Sequence, residues 1–211
     1  MSRAFADIAF TPAVRAAQKR LGSANAYERF LAADTPANDV LGPEEAAFLT
    51  ACDGFFQATV SESGWPYVQF RGGPPGFLHV LGPTRIGYAD FRGNRQYVSL
   101  GNLAGDDRVA LIVMDYPNRR RLKLWGRARA VEADDDPRLV HSLHVEGYRA
   151  RPERAVLIDV AAFDWNCPQH IPRRFTLDEV HTELQPLHAE LARLTEDNRR
   201  LRALVERADA P

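Results

Sequence analysis

The chain has 211 residues, 45% of them hydrophobic, and a formal net charge of -1. That length can bury about 70% of the unfolded surface, enough for one compact domain with an appendage, while the near-neutral balance excludes a phosphate-coating nucleic-acid binder with its strong positive excess. No run of about 18 apolar residues suggests a membrane span, the N-terminus lacks a secretory leader, and two cysteines, Cys52 and Cys167, are too few for a disulfide framework, which points to a reducing cytoplasm.

The first fifty residues read as helical. "TPAVRAAQKRLG" opens on Thr11 as an N-cap with Pro12 at the first helical position, and it closes at Gly22. "SANAYERFLAAD" follows, with Tyr27, Phe30 and Leu31 on one face. A third helix starts at Pro43 in "PEEAAFLTAC".

From Asp53 the period changes from helical to two-residue. "GFFQATVSESGWPYVQF" reads as two strands joined by a turn at Ser63 and Gly64. "GFLHVLGPTRIGYAD" gives a second pair around Gly82 and Pro83. The segment "NRQYVSLGNLAG" predicts a helix, and the nearly continuous apolar run "RVALIVMDY" predicts a fully buried strand. In "RRLKLWGRARAVEA", Leu122, Leu124, Ala128 and Ala130 face one way while Arg121, Lys123, Trp125, Arg127 and Arg129 face the other. A short helix in "DPRLVHSLHVEGY" and the strand "RAVLIDVAAF" complete the set. Six or seven strands at hairpin spacing point to an antiparallel barrel rather than βαβ repeats.

The tail has a different pattern. Leu177, Val180, Leu184, Leu187, Leu191, Leu194, Leu201 and Val205 follow a heptad repeat interrupted by Asn198. The strict repeat favours self-association over packing of an amphipathic helix on its own barrel, and in a parallel pair Asp197 would meet Arg202 of the facing helix. Pro186 interrupts the seam, so the coil is expected to begin there with the proline in its first turn.

Cys167 and His170, three apart in "DWNCPQHIPRRF" (164–175), supply two of the four ligands that a structural zinc needs. No spacing pairs them with Cys52, His79, His141 or His144, and no metal site is expected. Cys167 precedes a proline with no helix N-terminus to lower its pKa, so an inert thiol is the better reading. The basic stretch "NRRRLK" would need exposed aromatics beside its charges to bind single-stranded nucleic acid, and Trp125 alone qualifies.

Anion-binding signals are better placed. No P-loop or dinucleotide fingerprint occurs. "FRGGPPGF" instead puts Arg71 at a strand end, followed by Gly72 and Gly73, whose bare backbone suits close approach of a ligand. "RGNRQYVS" puts Asn94, Arg95 and Ser99 at the expected start of a helix, where free N–H groups and the dipole favour an anion. "NRRRLKLWG" adds a third basic element at a strand end.

The blocks "GWPYVQFRGGPPGFLHVL", "YADFRGNRQYVSLGNLAGDDRVALIVM", "RRLKLWGRARAVE" and "DWNCPQHIPRRF" resemble the pyridoxamine 5'-phosphate oxidase-like family, and more closely its branch of predicted FMN-binding split-barrel proteins. The resemblance covers about residues 10 to 175. It implies a mainly β fold: a six-stranded antiparallel split barrel of the FMN-binding type, here with N-terminal helices and a long C-terminal helix. It further implies a homodimer holding FMN in two clefts at the subunit interface. Block matching then assigns Arg71 to the first flavin-contacting segment and Tyr88 to the strand that touches the flavin. Asn94, Arg95 and Gln96 match the phosphate-holding segment, Arg121 falls near the isoalloxazine edge, and Trp165 matches a residue that encloses the flavin. On this reading the arm supplies Trp165, Asn166 and Gln169 to the flavin, with His170 and Arg173 toward substrate.

Two departures bear on activity. Gly76 stands about where the family's substrate-gripping Lys falls, and "HIPRR" lacks the C-terminal Arg-x-His motif. The expectation is therefore an FMN-dependent oxidoreductase on a small organic substrate other than the vitamin B6 phosphates, with a non-catalytic flavin-binding sensor that recruits partners through its coil as the alternative. The expected organisation is N-terminal helices over 1–52, a split-barrel core with its arm over 53–175, and a C-terminal helix over 176–211. Neither nucleic acid nor membrane is an expected partner; higher assembly through the C-terminal helix is.

Overall fold

The computed structural model describes residues 2–37, 39–165 and 168–208. The chain divides into two compact units, Met1–Ile171 and Pro172–Pro211.

The first unit opens on a helix that the sequence reading does not anticipate, α1 (Arg3–Ala9). Ser2 caps it and also donates its hydroxyl to the Phe163 carbonyl at 2.9 Å, which ties the N-terminus to the last strand. Helix α2 (Pro12–Arg20) starts on the expected Thr11 cap and Pro12. The expected helix over 23–34 is shorter: α3 (Ala24–Glu28) runs into a 3-10 turn, Arg29–Leu31. Helix α4 (Pro43–Ala51) begins at Pro43, with the Glu45 carboxylate accepting from the Gly42 N–H.

Among the described residues seven strands follow, all paired antiparallel: β1 (Gly54–Val60), β2 (Pro66–Gly72), β3 (Leu78–Gly82), β4 (Arg85–Phe91), β5 (Arg108–Asp115), β6 (Arg120–Glu132) and β7 (Pro152–Trp165). The sheet order is β2-β1-β5-β6-β7-β4-β3, with α5 (Val98–Gly105) between β4 and β5 and α6 (Pro137–Ser142) between β6 and β7. The expected class, antiparallel β with flanking helices and a long C-terminal helix, is the one found, with seven strands where the resemblance implied six. The first hairpin turns at Gly64, whose φ of +83° is cheap only for glycine.

The two ends of the sheet curl toward each other. Phe55 of β1 and Tyr88 of β4 meet edge to face at 5.3 Å, and the Tyr88 hydroxyl donates to Gln57 of β1 at 2.8 Å. A bulge at Trp125 and Gly126 in the long β6–β7 pair adds local twist. Gly126 is required there, because a Cβ would sit 2.5 Å from the Asp159 carbonyl oxygen. The concave side holds the core, built on Phe55, Phe77, Leu111, Leu122, Leu124 and Ile158.

Two local expectations are corrected. Strand β5 is buried on one face only: Val109, Leu111 and Val113 point inward while Ile112 is 39% exposed, because the core lies on one side of the sheet. Helix α5 begins at Val98 rather than Asn94, because Arg95 (φ 62°) and Tyr97 (φ 52°) are left-handed and cannot continue a helix.

The second unit carries α7 (Leu177–Ala208), 32 residues long. Thr176 and Glu179 form a reciprocal capping box at its start. The helix passes through Pro186 instead of beginning there. Among the described residues no helix is long and apolar enough to cross a membrane.

Candidate functional site

A cavity of about 220 Å³ opens where β2 and β4 face each other. Gln69 and Arg71 of β2 form one wall, Asp90 and Phe91 of β4 and Glu153 and Arg154 of β7 another, and the 93–97 loop with Ser99 and Leu100 of α5 the rim.

Its floor is ionic. Asp90, only 8% exposed, accepts from Arg71 at 2.5 Å and from Arg154 at 2.9 Å. Arg154 also donates to Glu132 at 2.9 Å and lies 5.2 Å from the centre of the Tyr97 ring. Burial works against the Arg154 charge, but its bonds to Glu132 and Asp90 outweigh that and hold the guanidinium protonated more firmly than usual. Tyr97 in turn donates its hydroxyl to Glu153 at 3.3 Å. Every carboxylate lining the cavity is thus engaged by a cation or a hydroxyl, and neither faces an incoming anion as a free charge.

Donors remain. Arg71 lines the cavity wall, while its Nε is covered by protein and has no hydrogen-bond partner among the described residues. Arg95 sits exposed at the rim in a left-handed conformation, its Nε 3.2 Å from the Tyr97 hydroxyl, and this bond raises its pKa further. The cavity thus brings Arg71 in its wall together with Asn94 and Arg95 at its rim.

Of the residues singled out in the sequence, Arg71, Asn94, Arg95 and Ser99 come together here. Ser99 is a support rather than a free donor: it is 2% exposed, and its hydroxyl donates to Gln69 at 3.0 Å. Gln96, next to Asn94 on the exposed loop, donates its backbone N–H to the Asn94 carboxamide.

The others lie elsewhere. The resemblance puts Tyr88 against the flavin, yet its side chain is 1% exposed and faces the barrel core. Burial pushes its hydroxyl pKa upward while Arg71, 5.8 Å above the ring, opposes that shift. Gly72 and Gly73 are partly exposed, and their missing side chains serve packing. A Cβ would meet Phe70 at 2.8 Å and Phe77 at 2.7 Å respectively, and the Gly73 N–H donates to the Asp53 carbonyl. Their smallness makes room for two aromatic rings.

Arg121 lies on β6 opposite Met114, outside the cavity, with its buried Nε also lacking a partner among the described residues. Trp165 ends β7 against α4: its indole donates to Glu45 at 2.8 Å, its ring meets Phe48 at 4.7 Å, and the Arg120 guanidinium lies 4.3 Å from the ring centre. Gln169 and His170 occupy an exposed turn, and Arg173, also exposed, belongs to the second unit. Asn166 and Cys167 lie outside the described residues.

Sequence reading missed Gln69, Asp90, Tyr97, Glu153 and Arg154. A signal was present for two of them. Asp90 interrupts the apolar run "IGYADF", and Arg154 opens "RAVLIDV"; charges beside buried apolar strand residues need a counter-charge.

Cys52 is no nucleophile: burial, then Asp115 and Asp53, push its thiol up to about 12. His79 and His144 are hydrogen-bonded to the carbonyls of Leu143 and Ala150. Among the described residues no group of three His, Cys, Asp or Glu side chains is arranged to hold a metal.

The convex side of the sheet is apolar. Phe70, Phe56 and Ile112 stand in register across β2, β1 and β5, all more than a third exposed. A groove of about 410 Å³ continues the same face past Ala58, Val60 and Ala110 to Trp125 and Ile8.

A family model described as pyridoxamine 5'-phosphate oxidase matches residues 41–164 of the chain. No curated protein matches it. Among solved structures, the HupZ protein of Group A Streptococcus is 12% identical, covering 64% of this chain and 99% of its own, with a TM-score of 0.49. A putative pyridoxamine 5'-phosphate oxidase from Lactobacillus delbrueckii is 20% identical (60% and 94% covered, TM-score 0.45). An FMN-binding protein from Syntrophomonas wolfei is 12% identical (59% and 85% covered, TM-score 0.45). At these scores the structural likenesses add no argument to the family match.

Proposed function

The chain belongs to the pyridoxamine 5'-phosphate oxidase family, and from that membership we propose that it is an FMN-dependent oxidoreductase acting as a homodimer on a small organic substrate. The observation that carries the reading is the cavity at the β2–β4 mouth, with Arg71 in its wall and Asn94 and Arg95 at its rim. Asn94, Arg95 and the exposed loop backbone would hold the cofactor phosphate, with Arg71 donating beneath it. FMN, when bound, supplies the hydride or electron transfer. The protein's part is to bind, orient and shield it. Asp90 keeps Arg71 fixed before any ligand arrives, so little reorganisation accompanies binding.

A volume of about 220 Å³ is below the roughly 300–1,000 Å³ usual for a cofactor-sized site. It suits the phosphate end, leaving the ring to a wall from a second copy. The row of Phe70, Phe56 and Ile112 supports that pairing, since exposed apolar patches of this kind mark interfaces. Oxidation of vitamin B6 phosphates is not proposed, because Gly76 replaces the Lys that the resemblance implies for substrate phosphate. We place the protein in the cytoplasm, in keeping with the free thiol of Cys52. A flavin-binding sensor is the second reading, favoured by the exposed stripe of α7.

The test is a titration of the full chain with FMN and, in parallel, riboflavin, followed by flavin fluorescence. Tighter binding of FMN is expected; equal affinities would remove the phosphate role, and binding of neither would end the flavin reading. Reduction of the bound flavin by small donors faster than free FMN separates enzyme from sensor.

A further inference from the structure

Helix α7 carries an unused surface of defined chemistry. Leu187, Leu191, Leu194, Leu201 and Val205 lie along one stripe, each more than half exposed. In heptad terms Leu177, Leu184, Leu191, Asn198 and Val205 occupy a, and Val180, Leu187, Leu194 and Leu201 occupy d. Pro186 falls at c, away from the stripe, so the backbone bond it removes lies on the outer side of the helix.

The flanking charges are sorted by sign. Position g carries Glu183, Glu190, Asp197 and, near the end, the uncharged Leu204; position e carries His181, His188, Thr195 and Arg202, with no acid among them. In a parallel in-register pair, g meets the e residue of the next heptad on the facing helix, which sets Asp197 against Arg202 and Glu183 against His188. An antiparallel pair instead sets g against g, acid against acid. It also places Asn198 opposite an apolar d residue, leaving its amide unsatisfied, because a layers then face d layers. Only the parallel arrangement lets the two Asn198 side chains bond each other.

From this sorting of charge we infer that α7 is a homotypic docking surface, pairing with the α7 of a second copy in parallel and in register. The pairing does not depend on the flavin reading. Glu190 and Asp197 also bond Arg193 within their own helix, at 2.7 and 3.1 Å. Those bonds support the isolated helix and leave room for the weaker contact across the seam.

The experiment uses the full chain in a Cys167→Ser background, with Leu201→Cys, Leu187→Cys or the outward-facing Ala203→Cys added one at a time. Under a glutathione redox buffer, the parallel register brings each d position to its own copy within disulfide reach, a Cα separation of roughly 4.4–6.8 Å. Self-linked dimers are expected for the variants at 201 and 187 and not for the one at 203. Antiparallel pairing, seating of the stripe on other parts of this chain, or capture of an unrelated helix would each leave 201 and 187 no more linked than 203, and any of these overturns the inference. A charge swap checks the register independently. Arg202→Glu is expected to weaken tail association about tenfold, and Asp197→Arg combined with it to restore most of the loss. Helix content by circular dichroism controls for fraying.

Discussion

Arg71 on β2 and Asp90 on β4 form an ion pair of 2.5 Å across the mouth of the curled sheet, joining strands 19 residues apart in the chain and far apart in the sheet order. Arg154 grips the other carboxylate oxygen from β7. One buried acid therefore fixes the positions of two arginines, both of which line the candidate site.

Asp90→Asn keeps the shape and removes the charge. Two largely buried guanidinium groups would then share a neutral amide, and removing one member of such a set costs about 3–5 kcal/mol. Urea unfolding should show a lower midpoint at an unchanged slope. A loss below 1 kcal/mol would mean that solvent reaches the cluster.

Arg95→Gly separates binding from folding. The residue is exposed with a φ of 62°, a conformation that glycine adopts without strain. Stability should hold or rise by a few tenths of a kcal/mol, while FMN affinity drops about 10- to 100-fold with the loss of one charge-assisted bond. Unchanged affinity would move the phosphate elsewhere.

Trp165→Phe removes the indole donor to Glu45 and keeps most of the ring packing. A cost of about 1 kcal/mol is expected, read as a lower thermal midpoint. Flavin affinity should change less than with Arg95→Gly, since the ring is held by Phe48 and Arg120 rather than by the cavity. The reverse order of effects would restore the flavin contact that the resemblance assigns to Trp165.

Two groups predict opposite limbs of the pH–stability curve. Cys52 has its thiol raised to about 12 from an ordinary value near 9, chiefly by burial. Its contribution is complete below 9 and lost as the pH climbs from there toward 12, because the unfolded thiol ionises first. Folded protein in a Cys167→Ser background should therefore resist alkylation at pH 8. Asp106 is lowered to about 2 by hydrogen bonds from Arg108. Its contribution is present above the ordinary value near 3.8 and fades as the pH falls toward 2, so Asp106→Asn should flatten the acid limb measured by urea midpoints.

Gly126→Ala tests the bulge. The new methyl would meet the Asp159 carbonyl oxygen at 2.5 Å and an Ile158 methyl at 2.8 Å, both in the central strand pair. Overpacking of this kind costs about 1–3 kcal/mol. A neutral result would show that β6 and β7 can part there without loss.

What could be read early was local. Thr11 with Pro12, Pro43, Gly64 and the alternation from Leu122 to Ala128 each specify an element through capping, turn geometry or pleat, and each stands where the residues put it. The sequence predicts helix over 94–97 because nothing in "GNRQYV" announces left-handed backbone at Arg95 and Tyr97; Tyr97 is held by Glu153 and Arg154, 56 and 57 residues away. The packing role of Gly72 and Gly73 is hidden for the same reason, since the rings that need their space come from Phe70 and Phe77 after folding.

By itself, the sequence determined the strand-rich core, the two basic blocks around Arg71 and Arg95, and the charge-sorted heptads of α7. All three follow from spacing within a few turns or strands of one segment. Tertiary structure alone decided that Asp90 and Arg154 lie beneath Arg71, that Tyr88 turns into the core and that Trp165 clasps α4. Those outcomes depend on which charges must be buried together once the sheet curls, and a buried charge is tolerable only beside a counter-charge that the chain's linear order does not reveal.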